Sequence, residues 1–137
     1  MDSATARSLM AQLQRDAERI AAHFGLRYRS LRAERIGTNA HYGICYSDGS
    51  IRIRLRHAST GRPLKYSSLV NTLCHELAHL RHFDHGPRFK AFYFEILDHA
   101  RVEGIYRPSA PRRGRAPARS ESARTEASGP VQLGLFG

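Results

Sequence analysis

The patterning of this chain predicts an α+β domain built from an N-terminal helix, a three-stranded antiparallel sheet and two further helices. Three observations carry that expectation. Apolar residues recur at helical spacing near the N-terminus, they alternate with polar ones in the middle, and the helical period returns between residues 67 and 101 before hydrophobicity stops.

From Ser3 to Phe24, the residues Leu9, Leu13, Ala17, Ile20 and Phe24 fall on one helical face, and Gly25 supplies a stop. Three extended segments follow, Leu26 to Ile36, Ala40 to Tyr46 and Ser50 to Arg56, the last two joined by the turn Ser47-Asp48-Gly49. In the third, Ile51, Ile53 and Leu55 alternate with Arg52, Arg54 and Arg56, so one face should enter a core and the other present guanidinium groups. A second helix is expected from about Ser67 to His82, with Ser67 or Ser68 as its cap and Leu69, Leu73, Leu77 and Leu80 on one face. The last helix opens at Pro87, a favoured first-turn position, and runs to about Arg101 with Phe89, Phe92, Ile96 and Leu97 apolar.

At 137 residues the chain has room for one modest core, placed here at residues 1–106. Residues 107–130 contain no Leu, Ile, Val, Phe or Tyr and are expected to form a disordered, Arg-rich tether. A short apolar burst, residues 131–137, closes the sequence. Lys and Arg number 22 against 12 Asp and Glu, a net charge of +10 that points to polyanionic partners. The tether carries +4 of that, so the domain is basic in its own right at +6. Cys45 and Cys74 stand 29 residues apart in apolar segments, which excludes a disulfide scaffold and a four-cysteine zinc ribbon. Every apolar run near the N-terminus is broken by a polar residue, so neither a signal peptide nor a membrane span is expected, and the default compartment is the cytoplasm.

The segment HELAHLRHFDHGPRF, residues 75–89, holds four of the chain's eight histidines. On a helix His75 and His79 lie one turn apart on one face, where two imidazoles can converge on one ion, and Glu76 is close enough to serve as a base toward water. A catalytic zinc needs a third protein ligand, for which His82, His85, Glu95 and His99 are candidates. His82 would sit about 7.5 Å along the axis from a metal held midway between residues 75 and 79, a long reach for an imidazole. His85, before the turn at Gly86-Pro87, is preferred, with Glu95 as its rival. Zn2+ so held would favour amide hydrolysis with Glu76 as general base, and Tyr66, Tyr93 and His82 are candidates for steadying the oxyanion.

The run NTLCHELAHLRHFDHGPRFKAFY resembles the SprT/Spartan-like zinc metallopeptidases and the related YgjP-type hydrolases, in which a HELxH helix is followed by HG-x-x-F or HS-x-x-F. YGICYSDGSIRIRL is similar to the hairpin that precedes their metal helix. The likeness spans about residues 5–103 and implies a zincin-like, minimal metallopeptidase fold, with His75, His79 and His85 as zinc ligands and Glu76 as catalytic residue. It also implies protein substrates trapped on DNA. The cysteine ribbon often appended in that family is missing. HELAHLRHFDH is similar as well to the HGxLHLxGYDH of YbeY-type ribonucleases, which have glycine where this chain has Glu76. A metal-dependent endoribonuclease and a non-catalytic metal-binding module are therefore the alternatives.

Arg52, Arg54 and Arg56, with Arg112, Arg113 and Arg115 of the tether, are candidate contacts for the phosphates of DNA. QLGLF resembles the short peptide by which bacterial proteins dock on the DNA polymerase sliding clamp. Gln132 would bond at a pocket rim while Leu133, Leu135 and Phe136 fill an apolar groove. The expected enzyme is a zinc metalloprotease associated with the nucleoid.

Overall fold

The computed structural model describes residues 2–35 and 41–108. The tether from residue 109 on, with Arg112, Arg113 and Arg115, lies outside them, as do Gln132, Leu133, Leu135 and Phe136 of the docking peptide. Helix α1 (Ser3–Phe24) begins where the Asp2 carboxylate accepts a hydrogen bond of 2.8 Å from the Thr5 N–H, which supplies an acceptor to an otherwise orphaned donor of the first turn. It ends at Gly25, whose φ of 69° is the left-handed conformation that glycine adopts without a Cβ clash. Leu13, Ala17, Ile20 and Ala21 form its buried face.

Strands β1 (Ser30–Ala33), β2 (Gly43–Cys45) and β3 (Ser50–Ile53) form one sheet in the order β1-β3-β2. The expected hairpin is present: β2 and β3 pair antiparallel, Gly43 opposite Ile53 and Cys45 opposite Ile51. The expected all-antiparallel sheet is corrected, because β1 pairs parallel with β3, Leu31 beside Ile51 and Arg32 beside Arg52. The reason lies in strand order: β1 and β2 run in opposite directions, but β3 lies between them and opposes β2, so it runs the same way as β1. Leu31, Cys45, Ile51 and Ile53 face inward on all three strands, which leaves Arg32 and Arg52 side by side on the outer face.

Helix α2 (Tyr66–His79) packs across the inner face of the sheet and against α1 and α3 (Pro87–Val102). Its start is corrected by one residue: Lys65 is the N-cap and its carbonyl already accepts from the N–H groups of Ser68 and Leu69, so neither serine caps the helix. Its end is corrected too, since the helix stops at His79 and not His82. Leu13, Ile20, Leu69, Leu73, Leu77 and Ile96 are fully buried where the three helices meet, each contributing about 1.5–3 kcal/mol by leaving water. Among the described residues no helix is long and apolar enough to cross a membrane.

Candidate metal centre

The last turns of α2 place polar side chains where the rest of the helix places leucines. Leu73 and Leu77 are at 0% exposure, and His75, Glu76 and His79, in the same buried run, are at 5%, 0% and 2%. Helical spacing alone brings His75 edge-to-face with His79, with ring centroids 5.1 Å apart. After the helix stops, the chain turns through Gly86-Pro87 into α3 and brings back His85, whose ring lies 4.7 Å from His79 and 5.4 Å from His75. One ligand atom from each of the three lies within 4.8 Å of the other two, a group that could hold a metal ion.

The ring nitrogens fit an ion better than they fit one another. His79 Nδ1 lies 3.1 Å from the carbonyl oxygen of His82; by donating there it leaves Nε2 with its lone pair. That Nε2 is 3.1 Å from Nε2 of His85. Tetrahedral coordination at zinc–nitrogen distances of about 2.0–2.1 Å would separate such atoms by about 3.3–3.4 Å. Both nitrogens of His75 are fully buried with no hydrogen-bond partner among the described residues. An orphaned nitrogen of that kind costs about 1–3 kcal/mol, which a bound cation would offset at the ligating atom.

Electrostatics agree with a ligating role. Burial, then the neighbouring His79 and His85, pushes the His75 imidazolium down to about 3. Burial, then His85, takes His79 down to about 4 against the opposing pull of the His82 carbonyl, and burial also lowers His85. The neutral, lone-pair-bearing form therefore prevails at pH 7 in all three. Burial acts in the opposite sense on Glu76, raising its carboxyl well above the usual range.

The other candidates from the sequence sit elsewhere. Glu95 is exposed on α3, and His99 stacks on His23 of α1 with centroids 3.8 Å apart. His82 contributes its carbonyl oxygen, not its ring. Tyr66 donates to Asp16 of α1 at 2.6 Å, which removes it from the candidates for an oxyanion donor. Tyr93 remains beside the histidines, its ring 5.2 Å from His75 and its hydroxyl donating to Asn71. Cys45 and Cys74 are buried free thiols, pushed up by burial, Cys45 to about 12.

Three participants escaped the sequence reading. Asn71 lies one helical turn before His75, a spacing that could have flagged it. Phe89 touches all three imidazoles, and only its place in HGPRF hinted at that. Gly43 of β2 had no signal at all: a Cβ there would fall 2.6 Å from Thr72 Cγ2 and 3.0 Å from Glu76 Oε2, so glycine lets the strand press against the Glu76 carboxyl. A cavity of about 310 Å³ has His79 in its wall, with Cys45, Tyr46, Leu80 and Phe83 around it.

The fold is shared with a known protein. A crystal structure of Wss1 from Saccharomyces cerevisiae superposes with a TM-score of 0.70 over 75% of this chain and 82% of that one, at 17% identity. A mutant of Wss1 from the same yeast gives a TM-score of 0.68 over 77% and 87%, at 16% identity. No curated protein matches the sequence. The WLM domain family matches residues 2–129, which takes in the whole described structure and most of the Arg-rich segment. The SprT/Spartan likeness thus stays a resemblance of the motif around the histidines. With all but the first residue and the last eight inside that match, the chain belongs to the WLM domain family.

Proposed function

We propose that this chain is a zinc-dependent metalloprotease acting on proteins bound or crosslinked to DNA. The single observation that carries the reading is the convergence of three imidazoles, two of them buried and the third half-buried, beside a fully buried glutamate. Membership of WLM, a metalloprotease family, and the fold shared with Wss1 support it.

His75, His79 and His85 would hold zinc, which supplies Lewis acidity toward a water molecule and the scissile carbonyl. Glu76 accepts the water proton on a carboxylate oxygen and passes it to the nitrogen of the leaving amine. Burial raises its proton affinity, which suits a group that must carry the proton between those two moments, while a nearby divalent charge favours the carboxylate needed at the start.

The sheet supports a peptide substrate. The carbonyl of Tyr42 accepts from Arg54 N–H and the N–H of Tyr46 donates to Ser50, so β2 bonds to β3 through its even-numbered residues. Gly43 and Cys45 then turn their backbone groups to the other side of β2, an edge strand next to α2, where an extended chain can add as a further strand.

DNA recruitment rests on charge. Arg52 and Arg54 share the outer sheet face with Arg32, Arg56 follows, and Arg112, Arg113 and Arg115 would extend the basic surface along the tether. Gln132, Leu133, Leu135 and Phe136 would dock on the sliding clamp, keeping the enzyme at the nucleoid in the cytoplasm.

The test is incubation of zinc-loaded protein with a DNA-linked protein and, separately, with structured RNA. Cleavage of the protein by wild type but not by Glu76→Gln, with zinc retained in both, is expected. Cleavage of RNA alone would favour the endoribonuclease alternative, and no cleavage of either would favour a binding module. For the tail, Leu135→Ala/Phe136→Ala should abolish retention on immobilised clamp; unchanged retention removes that part of the proposal.

A further inference from the structure

Histidine ligands are ordinarily aimed by a hydrogen bond from the ring nitrogen that does not bind metal. His79 has such a partner in the His82 carbonyl, but among the described residues His75 has none at either nitrogen. Something else must hold the His75 ring in register.

The ring of Phe89 meets all three histidines. It lies edge-to-face with His75 at 4.9 Å, stacks on His79 at 4.3 Å with 22° between planes, and stands edge-to-face with His85 at 5.0 Å. Phe89 is itself buried at 2% exposure and is backed by Tyr93, whose plane is 13° from its own. The sequence explains the placement: Pro87 starts α3, and Phe89 comes four residues after His85, in the first turn of a helix packed on α2.

We infer that Phe89 is a positioning residue that arranges the three imidazoles for metal binding, doing by ring packing what a hydrogen-bonded partner would otherwise do for His75. The inference rests on the metal site of the proposed function. A flat ring fixes the tilt of its neighbours, whereas an aliphatic side chain of similar bulk fills the volume and leaves the imidazoles free to rotate. Removing the ring should therefore loosen the ligand set even where the domain still folds.

The experiment measures zinc affinity of the full chain by competition with a chromophoric chelator, and the visible spectrum of the cobalt-substituted protein. Phe89→Leu is compared with Ile96→Val, a substitution at a fully buried, aliphatic α3 residue that has no ring to set against the imidazoles. Phe89→Leu should weaken zinc binding about tenfold or more and alter the cobalt spectrum, while Ile96→Val leaves both as in wild type. Should Phe89→Leu not fold, by circular dichroism, Phe89→Met provides the same comparison with a more adaptable side chain. Affinity within twofold of wild type for the Phe89 variant, or equal losses in it and in Ile96→Val, overturns the inference. Wild-type protein that binds no zinc overturns the metal site itself and this inference with it, so the two failures are told apart.

Discussion

Polar side chains crowd two regions of this molecule, the last turns of α2 and the outer face of the sheet, and they are held in opposite ways. On the sheet, Arg52 reaches the Glu34 carboxylate at 3.9 Å and Arg54 lies over the Tyr42 ring at 4.5 Å, both partly open to water although Arg54 Nε is covered. On α2, His75, Glu76 and His79 are sealed among leucines, and among the described residues His75 has no hydrogen-bond partner. Solvated arginines cost little and create a field around the molecule; sealed imidazoles and a carboxyl oppose folding unless they act together. The contrast separates a surface open to water from a polar cluster closed to it.

The sharpest way to break that contrast is Glu76→Gln. Proteolysis should fall by about 10²–10⁴-fold while zinc content, measured by mass spectrometry, is unchanged. Thermal melting should show the metal-free variant at least as stable as wild type, since a buried ionisable group has been neutralised. A comparable loss of stability would place Glu76 in the structure and not in the chemistry. Gly43→Ala comes next, because its methyl meets the Thr72 methyl carbon at 2.6 Å. It should lower stability by about 1–3 kcal/mol in urea titration, and adding Thr72→Ser should recover part of that.

A smaller effect, of the opposite sign, is expected from His75→Leu in metal-free protein. Exchanging two orphaned nitrogens for an aliphatic group of similar size should raise stability by about 1 kcal/mol, measured by chelator-treated melts, while zinc binding is lost. The smallest stability effects belong to the sheet. Arg52→Ala and Arg54→Ala should each change folding stability by less than about 0.5 kcal/mol. If these residues touch phosphates, each substitution should reduce the salt slope of DNA binding by up to about 0.9, read by fluorescence anisotropy across ionic strength.

How much of this was visible in the sequence depended on whether local spacing or long-range pairing decides the feature. The bounds of α1 follow from Asp2, Gly25 and a regular apolar face, all local signals, and structure and expectation agree there. The nearness of His75 to His79 follows equally from one helical turn. Sheet order does not follow, because the β2–β3 hairpin leaves open which strand of the pair β1 joins, a long-range pairing that no local pattern records. The end of α2 was misplaced because the periodic Leu80 suggested continuation, whereas the chain turns off so that the His82 carbonyl can meet the His79 ring. The contacts of Gly43 and Phe89 bring together residues from separate elements, and no local pattern announces them.

The central claim, that His75, His79 and His85 jointly bind one zinc ion, is most directly tested by anomalous diffraction at the zinc edge from crystals of the zinc-loaded protein. One peak about 2.0–2.1 Å from a ring nitrogen of each histidine is the predicted result. A peak bound by only two of them together with another side chain, or none among the three rings in zinc-saturated crystals, would contradict it.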